Sequence, residues 1–198
     1  ILWTDTRAST EANYIDQSIK PNTHYITGNI CFPGFTSPKI EWIRVNEPHI
    51  FSQIKYCVLP TTYINYYLTG QLFSDMSDSS GTSWLNISKR KWSNSMLHLS
   101  SMKSAYTCTC DNGDGNRDGD CDGDGDCNCD GIDANTQMPL LYEGCEVGGV
   151  VQLSVTKTLG LPHKDTDIVV VAGAGDNAAA AVAIGISTST GTSTNTNR

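Results

Sequence analysis

No apolar stretch in these 198 residues approaches the roughly 20 that a membrane-spanning helix requires. The longest candidate, Ile168 to Ala172, has the length of a strand. No signal-peptide pattern opens the chain. Basic residues are in deficit, 13 Lys and Arg against 21 Asp and Glu, for a net charge of −8. The deficit is local. Nine Asp and one Arg fall between Thr107 and Thr136, so this stretch alone carries the whole net charge. The remainder is balanced, and nothing basic is left over to grip a phosphate backbone. These absences argue against nucleic-acid and membrane partners. Cysteine is also scarce outside the acidic stretch: five of eight lie within it, and Cys31, Cys57 and Cys145 are scattered. Scattered cysteines of this kind are expected to be small buried hydrophobes in a reduced, cytoplasmic body. The chain does not open with Met and closes in a Ser/Thr/Asn-rich tail, Ser187 to Asn197, which together suggest a fragment.

What is present outside these stretches reads as an α/β body. Pro38 to Glu47 is spaced as a helix, with Ile40, Ile43 and Glu47 on one face and Pro48 as its stop. His49 to Ile54 is a second, short helical stretch, and Thr61 to Leu68 a third that ends at Gly70. Tyr56 to Leu59 and Trp84 to Ile87 are short apolar runs expected as strands. Val150 to Leu159 reads as a helix closed by Gly160. Ile168 to Ala172, continuous and mostly β-branched, is expected as a parallel strand buried on both faces. The turn Gly173-Ala174-Gly175 follows, then small residues from Ala178 to Ala183 expected to form a helix close against its sheet. Strand, tight turn and helix is the unit at which α/β proteins place ligands.

Two motif readings compete with others. Gly173-x-Gly175-x-x-Ala178 after a strand matches a dinucleotide-binding turn. That chemistry needs an acidic residue about 20 positions further on to hold a ribose, and no Asp or Glu follows Asp176. In the acidic stretch, Asp118-x-Asp120-x-Asp122-Gly123 fits the first half of a calcium loop, but Cys129 occupies the place of the closing Glu. Asp118, Asp120 and Asp122 are therefore weak Ca²⁺ candidates, and a calcium-binding module is the alternative function. The preferred reading of this insert is a disordered simple-sequence expansion, or untranslated sequence carried in a gene model.

Several stretches, taken in order, resemble the FGGY carbohydrate kinases. They are Trp3-Thr4-Asp5-Thr6-Arg7; Ile26 to Asn29 followed by Pro33 to Trp42 with Lys39-x-x-Trp42; Ser74 to Leu85; Met138-Pro139; Tyr142-Glu143-Gly144; and Gly173 to Ala179. Gly34-Phe35-Thr36 and Asp75-Met76-Ser77-Asp78 are more similar to the xylulokinase branch than to glycerol kinase. The resemblance implies an actin-like ATPase fold of ribonuclease-H-like α/β domains. Of this the chain would hold the later part of the first domain, residues 1–186, interrupted by the insert at 107–136 and followed by the tail at 187–198. It also implies a kinase that uses ATP and Mg²⁺ to phosphorylate a small sugar, D-xylulose, and admits a homodimer of the full-length protein. Asp176 would be the catalytic base, Asn177 and Trp3 would contact the sugar, and the Gly173 and Gly175 turn would face the cofactor. Lys39 is expected to be structural, and Asp75 and Asp78 to be turn and capping residues near the interdomain cleft. From local pattern alone, Asp176 reads as a helix N-cap, a role worth about 1 kcal/mol; the ordered family motifs are what point to the base, and the two roles can coexist. The family's first phosphate loop, Asp-x-Gly-Thr, is absent. Gly191-Thr192-Ser193 echoes the second at too short a spacing. This polypeptide alone is expected to fold poorly and to lack kinase activity, and a non-catalytic remnant of a kinase gene is the second alternative beside the calcium-binding module.

Overall fold

The structure, a computed structural model, describes residues 1–18, 23–100, 138–162 and 167–185. The acidic insert with Asp118, Asp120 and Asp122, the Ser/Thr/Asn tail with Gly191-Thr192-Ser193, and the insert and tail domain boundaries lie outside the described residues.

The elements run in order α1 (Ser9–Ser18), α2 (His24–Thr27), α3 (Thr36–Asn46), α4 (Pro48–Phe51), α5 (Pro60–Thr69), β1 (Phe73–Asp75), α6 (Met76–Ser80), β2 (Leu85–Asn86), β3 (Lys91–Trp92) and α7 (Asn94–Leu99). There follow β4 (Leu140–Tyr142), β5 (Val147–Val150), α8 (Leu153–Leu159), β6 (Val169–Val171) and α9 (Asp176–Ala183). The α/β expectation holds, and most helix stops act as read. Pro48 ends α3 and opens α4, while Gly70 and Gly160 close α5 and α8 in the left-handed conformation. Helix α3 begins two residues before Pro38, whose fixed φ suits a first turn.

The core lies between α1, α3 and the β2–β3 hairpin. Ile15, Ile40, Trp84, Leu85, Trp92, Met96, Leu97 and Met138 form one buried cluster. Its two indoles are satisfied: Trp84 Nε1 donates to Ser100 Oγ at 2.8 Å, and Trp92 Nε1 donates to the Pro139 carbonyl at 2.8 Å. A buried indole N–H without a partner would cost more than its hydrogen bond returns. Beside this core, β1 and β4 pair in parallel, Phe73 opposite Leu140 and Asp75 opposite Tyr142. Helix α5 packs on β1, β5 and β6.

Four expectations are corrected. Tyr56 to Leu59 is not a strand; it is an unpaired connection from α4 to α5, anchored by Cys57 against the core while Tyr56 is exposed. Val150 belongs to β5, and α8 starts only at Leu153, because the β-branched Val150 and Val151 favour extended backbone. The parallel pair is β1–β4, not the Ile168–Ala172 segment. β6 runs antiparallel to β5; α5 covers one face of this two-stranded ladder, and Val169 and Val171 are exposed on the other. Helix α9 exists, but none of its residues is buried, and it meets α6 instead of lying tight on a sheet. Among the scattered cysteines, Cys31 and Cys57 are half-buried and pack on the core as expected, whereas Cys145 is exposed.

Candidate active site

The turn after β6 is fixed from three sides. The Asn65 side chain, buried on α5, donates to the Ala172 carbonyl at 3.2 Å. The Gly173 amide donates to the Gly144 carbonyl, beyond the end of β4, at 3.0 Å. The Gly175 amide donates to Ser77 Oγ on α6 at 2.9 Å. The two glycines are required for different reasons. Gly173 sits at φ +90°, where a side chain is strained. Gly175 packs so close to α6 that a Cβ would meet the Asp78 Cα at 3.2 Å. With both amides engaged inside the protein, neither is free to cradle a pyrophosphate, which counts further against the dinucleotide reading.

Ser77 is itself held. Its hydroxyl donates to Asp75 Oδ1 at 2.5 Å, and the same oxygen accepts the Asp78 amide at 2.9 Å. Asp75 is thus the N-cap of α6, as the sequence suggested. Its Oδ2 is buried with no hydrogen-bond partner among the described residues. Asp78 accepts from Thr61 Oγ1 at 2.8 Å. Burial pushes the Asp78 carboxyl above its ordinary range; the Thr61 hydrogen bond opposes this, and the negative charges of Asp75 and Asp176 add to it.

Asp176 opens α9 as its first helical residue, and the N-cap position belongs to Gly175. The N-cap reading of Asp176 is therefore not met. Its side chain caps nothing deeper in the helix; Oδ1 accepts only the adjacent Asn177 amide, at 2.8 Å. The carboxylate is exposed, and Asn177 beside it is exposed as well. A cleft of about 350 Å³ lies beside the turn, lined among others by Asp75, Ser77, Arg90, Glu143, Gly144 and Gly173; Asp176, Asn177 and Trp3 are not among its lining residues. It is bounded by the carboxyl ends of the parallel strands β1 and β4, where open α/β sheets bind ligands.

Trp3 is 81% exposed, and among the described residues no hydrogen bond or ring contact links it to Asp176. Lys39 is buried, and its ammonium donates to the Leu2 carbonyl at 2.6 Å, in keeping with the structural role expected of it. Burial draws its pKa down, against the pull of Asp5. Sequence reasoning missed two features. One is the Asp75–Ser77–Gly175 relay, whose signal was the hydroxyl set between two carboxylates in Asp75-Met76-Ser77-Asp78. The other is the ion pair between Arg90 and Glu143, with Arg90 Nε 2.7 Å from Glu143 Oε1. Arg90 holds a left-handed φ of 53° to make it. Nothing in the local sequence of Arg90 announces that pairing; Glu143 lies within one of the ordered motifs.

Among the described residues no group of three His, Cys, Asp or Glu side chains is disposed to hold a metal ion, and no helix is long and apolar enough to cross a membrane.

Comparisons with known proteins identify the family. Residues 1–106 match the model of the FGGY family of carbohydrate kinases, N-terminal domain. Over 161 residues the chain is 38% identical to a xylulose kinase of Escherichia coli K12, covering 81% of this chain and 27% of that protein. It is 35% identical to a xylulose kinase of Klebsiella pneumoniae over 162 residues, covering 82% of this chain and 27% of that one. A crystal structure from Brucella ovis, described as a xyloylose kinase, superimposes with a TM-score of 0.68 at 38% identity, covering 91% of this chain and 30% of its own. The chain therefore spans about 27% of the length of these curated relatives. It carries the actin-like fold of these sugar kinases in part, and it belongs to the FGGY family of carbohydrate kinases.

Proposed function

We propose that this chain is the part of a xylulokinase-type enzyme that presents the catalytic base, and that the enzyme phosphorylates D-xylulose to D-xylulose 5-phosphate. The observation that carries the reading is the placement of Asp176. It is an exposed carboxylate on the first turn of α9, with its backbone fixed by α5, β4 and α6 and its side chain free of any capping duty. ATP supplies the phosphoryl group, and membership in a carbohydrate-kinase family brings a sugar acceptor with it. As a terminal hydroxyl of the sugar attacks the phosphoryl group, Asp176 accepts its proton, an exchange that carboxylates perform in phosphoryl transfer to alcohols. Asn177, adjacent and exposed, is placed to hydrogen-bond the sugar, and Trp3 offers an uncovered ring for its carbon face. Gly173 and Gly175 would bound the cofactor side of the site through the shape of their turn, their amides being spent on Gly144 and Ser77. Mg²⁺ belongs with the nucleotide: such ions are held by phosphates and one or two carboxylates, and the described residues build no metal cage of their own.

The sugar is tested with the full-length protein, extended to the length of its relatives, against D-xylulose, glycerol and gluconate in a coupled ATPase assay. A kcat/KM at least about tenfold higher for D-xylulose, equivalent to about 1.4 kcal/mol of transition-state discrimination, is the expected result. Equal turnover of all three would overturn the xylulokinase assignment.

A further inference from the structure

We infer that Lys39 is a positioning residue for Trp3: its buried ammonium sets the backbone that presents this ring to the sugar. The inference rests on the reading above that Trp3 faces the sugar. Trp3 is 81% exposed, so what the described residues hold is its backbone. That backbone is clamped. The Leu2 carbonyl accepts from Lys39 Nζ at 2.6 Å and from the Asp5 amide at 3.1 Å. The Trp3 carbonyl lies only 2.9 Å from where a Cβ on residue 34 would stand, a space left open because that residue is glycine. At the far end of the segment, Arg7 pairs with Asp5, with Nε to Oδ2 at 2.9 Å, and its guanidinium stacks over the Trp42 ring at 4.9 Å.

Lys39 and Trp42 stand three residues apart on α3 and therefore on one face. They grip the two ends of the segment from Leu2 to Arg7, and the exposed ring lies between the grips. A surface lysine would be free to reach a phosphate or a sugar. This one is 8% exposed with its ammonium already committed to a carbonyl, so its influence on ligand binding runs through Trp3.

The test uses the full-length protein labelled with 5-fluorotryptophan. Trp3, Trp84 and Trp92 are assigned in the ¹⁹F spectrum by single Trp→Phe replacements. In Lys39→Met the Trp3 line is expected to shift or broaden while the core lines of Trp84 and Trp92 stay in place. An unmoved Trp3 line overturns the inference, and so does joint collapse of all three lines, which would make Lys39 a general support of the core. This arm uses no sugar, so it is independent of the functional reading. In the kinetic arm, Lys39→Met is expected to raise the KM for the sugar about tenfold with kcat within about twofold. That effect is expected to vanish in a Trp3→Ala background, the coupling that a double-mutant cycle measures. Additive effects overturn the inference. A Trp3→Ala replacement that leaves KM unchanged while the ¹⁹F result holds would instead overturn the sugar-facing role of Trp3.

Discussion

At the scale of single residues, three carboxylates of one cluster have been given different work. Asp75 is buried and spends one oxygen on capping α6 and holding Ser77. Asp78 is half-buried, engaged by Thr61, and held above its ordinary pKa chiefly by burial. Asp176 alone is exposed and unencumbered. A base must be both ionised and reachable, and only Asp176 meets the second condition. The thiols divide by the same logic. Burial raises Cys31 to about 11 and Cys57 to about 12, whereas Cys145 is exposed. Among these three, iodoacetamide at pH 8 followed by peptide mass mapping is expected to label Cys145 at once and the other two only after unfolding, because the thiolate is the reactive form. The pH dependence has a definite sign. Both folded-state values lie above the ordinary thiol value of 9.0, so the folded chain keeps protons that the unfolded chain releases. Stability is therefore expected to fall as pH rises from 9 through 11, measured by denaturant titration across that range.

At the scale of elements, the short helix α6 is the keystone of the candidate site. It has only five residues, too few to persist by propensity, and is held by the Asp75 cap and by contact with the Gly173–Gly175 turn. Asp75→Ala removes the cap and the acceptor for Ser77 together. It is expected to cost about 1 kcal/mol of stability from the cap alone, and to lower kcat more than it raises the KM for the sugar, since the turn behind Asp176 loses its anchor. Unchanged stability and unchanged kcat would refute this role. The helix stops and the turn were legible in the sequence because Pro48, Gly70, Gly160 and Gly173 act through local backbone geometry, whereas Gly175 acts through its packing on α6. Strand pairing was not. Val169 to Val171 carries the β-branched signature of a central strand, yet its partner is the antiparallel β5 and the face of Val169 and Val171 stays open. A propensity says that a segment is extended; the choice of partner is made by residues distant in the chain. Trp3, Asp176 and Asn177 stood out as members of ordered motifs, but the relay through Ser77 joins segments 98 residues apart, and its one local trace is the hydroxyl between Asp75 and Asp78.

At the scale of the whole molecule, considerable apolar surface is left open. Leu140, Val147, Val169, Val182 and Ile184, from β4, β5, β6, α9 and the residue after it, are all exposed. Exposed apolar surface in quantity marks surface made to be covered. The chain also spans only about 27% of the length of its curated relatives. The 198-residue chain purified alone is accordingly expected to aggregate, without a sharp cooperative melting transition, and to show no D-xylulose-dependent ATP turnover. Detectable sugar-dependent turnover, or a sharp two-state transition, would contradict this. The family assignment does not depend on that outcome, because it rests on residues 1–106 and on the superposition with the Brucella ovis structure.

The central claim is that Asp176 takes the proton from the attacking hydroxyl. Its most direct test is Asp176→Ala in the full-length protein, with initial rates measured at saturating ATP and D-xylulose. The expected result is a fall in kcat of about 10³-fold, within the range that a general base contributes, with the melting temperature unchanged because the side chain caps nothing and packs on nothing buried. A kcat within about threefold of the parent enzyme, when a base should contribute far more, would contradict the account.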